Sequence, residues 1–215
     1  MSDSRVKKIE EFLERVESEV YSEPDSPMHK NMIDHVVEEL VKNQLGEDKE
    51  VKILDIGCGQ GYMMEKFKEN GFSNLTGITL SQEDVDATIN RGFPCQKMDQ
   101  SFMSFEDESF DFVVSRHCLE HSPFPYLTLL EYFRICKAKG RVYVEMPAPE
   151  NHRVLEAIPN HYSLMGSRMW ESLMDRAGWG ILLSSKFGVK LNDLNTGESF
   201  DEINQFFILE KPEEK

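Results

Sequence analysis

From residue 51 onward, short apolar runs alternate with stretches of helical spacing, and this alternation limits the fold more than any other feature. Residues 51–56, 75–80, 110–114 and 141–146 read as strands. Residues 62–70, 82–90, 126–137 and 167–177 carry helical periodicity, with Gly71, Gly92 and Gly178 as stops. Strands linked by crossover helices pair in parallel and need cover on both faces, which predicts a layered α/β domain. The end breaks the rule. Residues 179–190 and 203–209 are strand-like, and the polar loop between them is too short for a crossover helix. They predict an antiparallel hairpin on the sheet's edge.

Ahead of the alternation, Val6, Ile9, Phe12, Leu13, Val16 and Val20 recur at helical spacing. Residues 22–27 interrupt them, and Pro27 suits the first turn of a second helix with Met32, Ile33, Val36, Val37, Leu40 and Val41 on one face. Gly46 ends it. The predicted organisation is a helical cap over 1–46 and one α/β domain over 47–215, with Tyr21 and His29 as candidate cleft contacts.

Charge narrows the partners. Lys and Arg number 24 against 39 Asp and Glu, a formal net charge of −15, and no basic run exceeds Lys7-Lys8. Such a surface repels phosphate backbones, so a nucleic-acid partner is disfavoured. No apolar run approaches the roughly 20 residues that span a bilayer, so no membrane partner is expected. Cys58, Cys95, Cys118 and Cys136 form no close CxxC pair, which fits a cytoplasmic protein with reduced thiols. Oligomeric state leaves no mark.

The most informative segment joins the first strand to the first helix of the alternation: Asp55-Ile-Gly57-Cys58-Gly59-Gln60-Gly61-Tyr62. Glycines let the backbone turn tightly and approach a ligand at a helix N-terminus. A dinucleotide fingerprint would need GxGxxG and an acid after the second strand. Tyr62 interrupts the first, and Thr79 stands in place of the second. The acid before the first glycine instead resembles the first motif of class I methyltransferases, and the likeness runs from about Val51 to Gly178. The segment 93–101, with Asp99, is similar to that family's third strand, and 102–114 to its "LPF-x-D-x-SFD-x-V" segment. Arg116-His-Cys-Leu-Glu-His121 is similar to "x-x-LEH", and 130–140 to "L-x-E-x-x-R-V-L-K-P-G-G", with Ala138-Lys139 replacing Pro-Gly.

The resemblance implies a three-layer Rossmann-like fold, a mostly parallel seven-stranded sheet with the C-terminal antiparallel hairpin, and S-adenosyl-L-methionine as cofactor. Asp55, Gly57, Cys58, Gly59 and Gly61 would pass beneath the methionine and ribose parts, with Asp55 orienting the ammonium group. Thr79 and Leu80, in a Gly-Ile-Thr-Leu-Ser version of the second strand's end, would meet the ribose, assisted by Asp84 or Gln82. Asp99 would accept the adenine amino group beside Gln100, with Arg116 and His117 completing the cofactor contacts.

His117, Glu120 and His121 follow the fourth strand, the edge where such sheets hold ligands. Three roles fit them. They can cap a helix and bond to backbone, or a histidine can act as general base. The third role is a divalent metal, since metal-dependent O-methyltransferases of ubiquinone biosynthesis carry E-x-x-E-H at this turn, and His117 stands where their first acid would be. The reading adopted is catalytic without a metal: His117, Glu120 and His121, faced by His161 from the loop after the fifth strand, serve a small-molecule acceptor with an O or N nucleophile. A cofactor-binding scaffold without turnover is the rival.

Overall fold

The computed structural model describes residues 3–20, 22, 27–150, 160–192 and 199–213. Helices α1 (Asp3–Ser18) and α2 (Pro27–Leu40) come first, and α2 runs into a π turn, Val41–Leu45. The alternation then follows as β1 (Ile53–Ile56), α3 (Tyr62–Glu69), β2 (Leu75–Thr79), α4 (Gln82–Asn90), β3 (Cys95–Lys97) and β4 (Phe110–Arg116). A 3-10 turn (Leu119–His121), α5 (Pro125–Ile135), β5 (Cys136–Pro147), α6 (Ser167–Arg176), β6 (Gly180–Asn192) and β7 (Ser199–Glu210) complete it. Tyr21 lies outside the described residues, as does the side chain of His29.

The seven strands form one sheet in the order β3-β2-β1-β4-β5-β7-β6. The first five pair in parallel, and β7 lies antiparallel between β5 and β6. The expected Rossmann-like topology with an edge hairpin is therefore the one formed. Boundaries differ at several places, among them the start of β7 at Ser199 rather than 203. Helix α5 stops at Ile135 rather than 137, and β5 begins at Cys136, because Lys139 turns with φ +61° and the pairing with β4 slips between Phe110 and Phe112.

Side chains alternate across each strand, and the two faces bury separate clusters. Leu54 and Ile56 of β1, Val113 of β4 and Val142 and Val144 of β5 meet Leu129, Tyr132, Trp170 and Met174 from α5 and α6. Ile53, Phe112, Val114 and Tyr143 face the other way, toward Met64 and Phe67 of α3 and Val37 and Leu40 of α2. Parallel strands buried on both sides read as nearly continuous apolar runs, which is how these three segments stand in the sequence. Two buried carboxylates break these runs, Asp55 on β1 and Glu145, one period beyond Tyr143.

Gly77 shows how closely β2 and the loop above it are fitted. A β-carbon there would stand 2.8 Å from Cys58 Sγ and 2.7 Å from Met64 Cε. Gly77→Val is expected to lose about 1–3 kcal/mol by overpacking, read as a lower urea midpoint at unchanged slope. An unaltered midpoint would mean that the loop gives way without cost.

Candidate functional site

The C-terminal ends of β1, β2, β3 and β4 open onto one cavity of about 690 Å³. The glycine loop forms its floor. Gly57, Gly59 and Gly61 have φ of +73°, +49° and +82°, a region costly for residues with a β-carbon. Gly57 has a second reason to be glycine, because a β-carbon there would lie 2.6 Å from Cys118 Sγ. The loop is tied down by Gly57 and Cys58 N–H groups donating to the Ile78 carbonyl (2.8 and 3.1 Å) and by Thr88 Oγ1 donating to the Gly59 carbonyl (2.9 Å).

Of the residues expected at a cofactor, Gly57, Gly59, Thr79, Leu80, Asp99 and Gln100 line this cavity, as do Arg116 and His117. Asp55 is buried at the end of β1, and Gly61 starts α3 packed against Thr88. Cys58 turns beneath the loop, its sulfur 3.5 Å from that of Cys95. Asp84 joins the lining and is held by Ser22 Oγ (2.9 Å), whereas Gln82 faces outward and bonds Asp86. The Asp99 carboxylate accepts from the Ser101 N–H. Gln100 works as a clamp: its amide donates to the Cys118 carbonyl (2.8 Å) and accepts from the Tyr132 hydroxyl (2.6 Å). It thereby ties β3's end to the turn after β4.

That turn carries the titratable groups. His117 sits at φ +48°, a strained backbone for a histidine, with its N–H on the Glu145 carbonyl (2.8 Å). Its Nε2 is 3.2 Å from Glu145 Oε1, and its Nδ1 is 3.5 Å from Glu120 Oε1. Burial and the Arg116 charge push its pKa down, but the two carboxylates outweigh them and raise it to about 9. His117 is thus a cation and a donor near neutral pH. Glu145 gains in turn: burial opposes its charge, yet Arg116, 3.2 Å away, and His117 hold it at about 2. Tyr143 donates to its second oxygen (2.5 Å).

His121 is different. It lines the cavity, and its Nδ1 lies 3.1 Å from the Asn160 carbonyl. A carbonyl only accepts, so Nδ1 carries the proton of this hydrogen bond and Nε2 is the other ring nitrogen, turned away from it. His161, on the loop after β5, stacks edge-on with ring centroids 4.6 Å apart. Burial pushes His161 down to about 4, so it is a neutral imidazole. Glu120, fully buried, lies beside both, and one ligand atom from each of the three falls within 4.8 Å of the others. The four residues expected at the acceptor thus sit together, divided into a charged half (His117 with Glu145) and a half of two imidazoles around Glu120.

Sequence reasoning missed Glu145; it expected a helical cap over the cleft but named other residues, Tyr21 and His29, as its contacts. The acid in the apolar run Val-Tyr-Val-Glu-Met was the available signal, since a charge on a buried strand needs a partner. Val16, Glu19 and Val20 line the cavity from above, and the Asn160 amide donates to the Glu19 carbonyl (3.2 Å). Tyr162 donates to the Glu19 carboxylate, and Phe12 meets Phe124 edge-on at 5.6 Å.

Comparison with known proteins supplies the family. Residues 28–184 match the family described as a methyltransferase domain. The chain belongs to it. Its relatives include a tRNA U34 carboxymethyltransferase of Aliarcobacter butzleri, 26% identical over 177 residues, covering 74% of this chain and 58% of the relative. A mitochondrial ubiquinone biosynthesis O-methyltransferase of Candida albicans is 30% identical over 145 residues, 61% of this chain and 44% of the relative. This methyltransferase spans about half the length of the curated relatives it matches. A SAM-dependent methyltransferase structure from Archaeoglobus fulgidus shares the fold, with TM-score 0.66 and 18% identity over 85% of this chain and 94% of that one. The methyl donor of the family is S-adenosylmethionine. Among the described residues no helix is long and apolar enough to cross a membrane.

Removing one member of a buried ion cluster leaves the others uncompensated. Glu145→Ala in the methyltransferase is expected to cost about 3–5 kcal/mol, measured by chemical denaturation. A loss under about 1 kcal/mol, the range of an exposed ion pair, would mean that the cluster is solvated.

Proposed function

We propose that this methyltransferase moves the sulfonium methyl of S-adenosylmethionine to an O or N nucleophile of a small molecule. The reading rests on one adjacency: the glycine loop and the His117–His121 turn line the same cavity. The donor would lie along Gly57, Gly59 and Thr79 with its adenine toward Asp99, leaving the sulfur beside the turn. In the transfer the bond between sulfur and methyl breaks with its electron pair staying on sulfur, a new bond forms from the nucleophile to carbon, and the nucleophile gives up a proton. Alignment carries most of such a displacement, and a base adds to it where the proton must leave. His121 has the geometry for that base. His117, a cation with both ring nitrogens turned to Glu145 and Glu120, would supply positive charge near the acceptor and hold the turn in place. The helical segment 1–46 would act as a cap, with Val16 and Val20 excluding water from above the sulfur.

The Aliarcobacter relative is named for a tRNA substrate, but the −15 charge of this chain opposes a polyanion. Three measurements separate the readings. Calorimetry is expected to give S-adenosylhomocysteine binding that Gly59→Val abolishes, because that variant puts a side chain at φ +49° where the ligand's backbone contact lies. Assayed across hydroxyl and amine acceptors, His121→Ala is expected to lower turnover about a hundredfold or more with cofactor affinity unaltered. Gel shifts with tRNA and duplex DNA are expected to stay blank at micromolar protein. Tighter binding of NAD than of S-adenosylhomocysteine, or a salt-sensitive RNA complex, would overturn the proposal.

A further inference from the structure

We propose that Glu120, His121 and His161 form a divalent-cation site at the acceptor end of the cleft, with His117 outside the ligand set. The case begins with two groups left incomplete. Glu120 is fully buried, and neither of its carboxylate oxygens has a hydrogen-bond partner among the described residues; the same holds for the buried Nδ1 of His161. An ionised carboxylate closed off from water in this way is costly unless a positive charge completes it. The nearest cation, His117, stands 3.5 Å from one oxygen, at the long limit of a hydrogen bond, and divides its charge with Glu145 at 3.2 Å.

The donor set is also prepared. His121 is fixed through Nδ1 on the Asn160 carbonyl, the backbone contact that orients metal-binding imidazoles and keeps the opposite nitrogen basic. The Ser163 N–H donates to the Glu120 carbonyl (2.9 Å) and Ser163 Oγ to that of Ser122 (2.7 Å), so the loop bearing His161 is pinned to the turn bearing the other two ligands. One ligand atom from each residue lies within 4.8 Å of the others, close enough for one ion to gather all three. Two imidazoles and one carboxylate suit a borderline first-row ion such as Zn²⁺, Mn²⁺ or Co²⁺; Ca²⁺ and Mg²⁺ prefer all-oxygen sites. Three protein ligands leave open positions, and His121 faces the cavity, so an acceptor oxygen could occupy one and lose its proton to solvent more readily, His121 then holding the ion through Nε2 in place of acting as the base.

Likeness to E-x-x-E-H would make residue 117 a ligand, but both nitrogens of His117 face carboxylates, at 3.2 and 3.5 Å. Its place is taken by His161, some forty positions further along the chain.

The proposal rests on the cleft's reading as an acceptor site, and its test is separable from that reading. Tag-free protein, stripped with chelator and dialysed, is titrated with Co²⁺ and followed by visible absorption, and Zn²⁺ uptake is measured by atomic emission. One ion per chain and a ligand-field spectrum are expected. Glu120→Gln and His161→Ala are each expected to weaken binding about tenfold or more, with metal-free melting temperatures confirming that the variants fold. S-adenosylhomocysteine affinity, measured on the same samples, should stay unchanged; its absence from the wild type would count against the function and leave the metal result intact. No uptake by the wild type at micromolar ion, or a folded His161→Ala that binds like the wild type, overturns the site. If a variant does not fold, His161→Gln replaces His161→Ala, and the wild-type stoichiometry decides alone for Glu120.

Discussion

A parallel sheet releases every strand at the same edge, and the site depends on that constraint. β1 to β5 pair in parallel, so the glycine loop, Thr79, Asp99 and the His117 turn all leave the sheet on one side although they are spread over sixty residues. The strand order reverses between β1 and β4, where the chain runs outward in both directions and leaves a crevice. The cavity lies there because no crossover helix covers that point.

Within the crevice, charge is arranged by burial. Glu145 has no access to water and ionises only because Arg116 and His117 stand against it. With Glu120 it converts His117 from a titrating base into a fixed cation, and so divides two neighbouring histidines between opposite tasks. A shift of one residue in the β4–β5 register, which sets Arg116 against Glu145, would turn the acid to the other face and dissolve the division.

The sheet and the glycine turn were legible because their signals are local. Apolar runs, glycine stops and an acid two residues before Gly57 all sit within one element and its flanks. The edge hairpin was legible too, since a short polar loop forbids a parallel return. What stayed hidden depends on distance. Gln100 reads as a cofactor neighbour until Tyr132, thirty-two positions later, is seen to occupy its oxygen. His117 and His121 look equivalent in sequence, and only Glu145 and Asn160, arriving from β5 and the loop beyond it, set them apart. The N-terminal cap was expected, but not the residue through which it grips the cleft, since the contacts of Glu19 with Asn160 and Tyr162 span more than a hundred and forty positions.

The insertion of β7 between β5 and β6 has a consequence for how the chain assembles during synthesis. β5, which carries Glu145, keeps one edge open until residues 204–210 have been made, and β6 emerges before the strand it must pair with exists. Contacts of this separation form late and slowly. A nascent chain therefore exposes two unpaired strand edges for as long as the ribosome takes to deliver β7, the interval in which such edges pair with other chains. Lys211, whose ammonium group reaches the Cys136 carbonyl (2.9 Å) at the start of β5, is the last bolt in that seam.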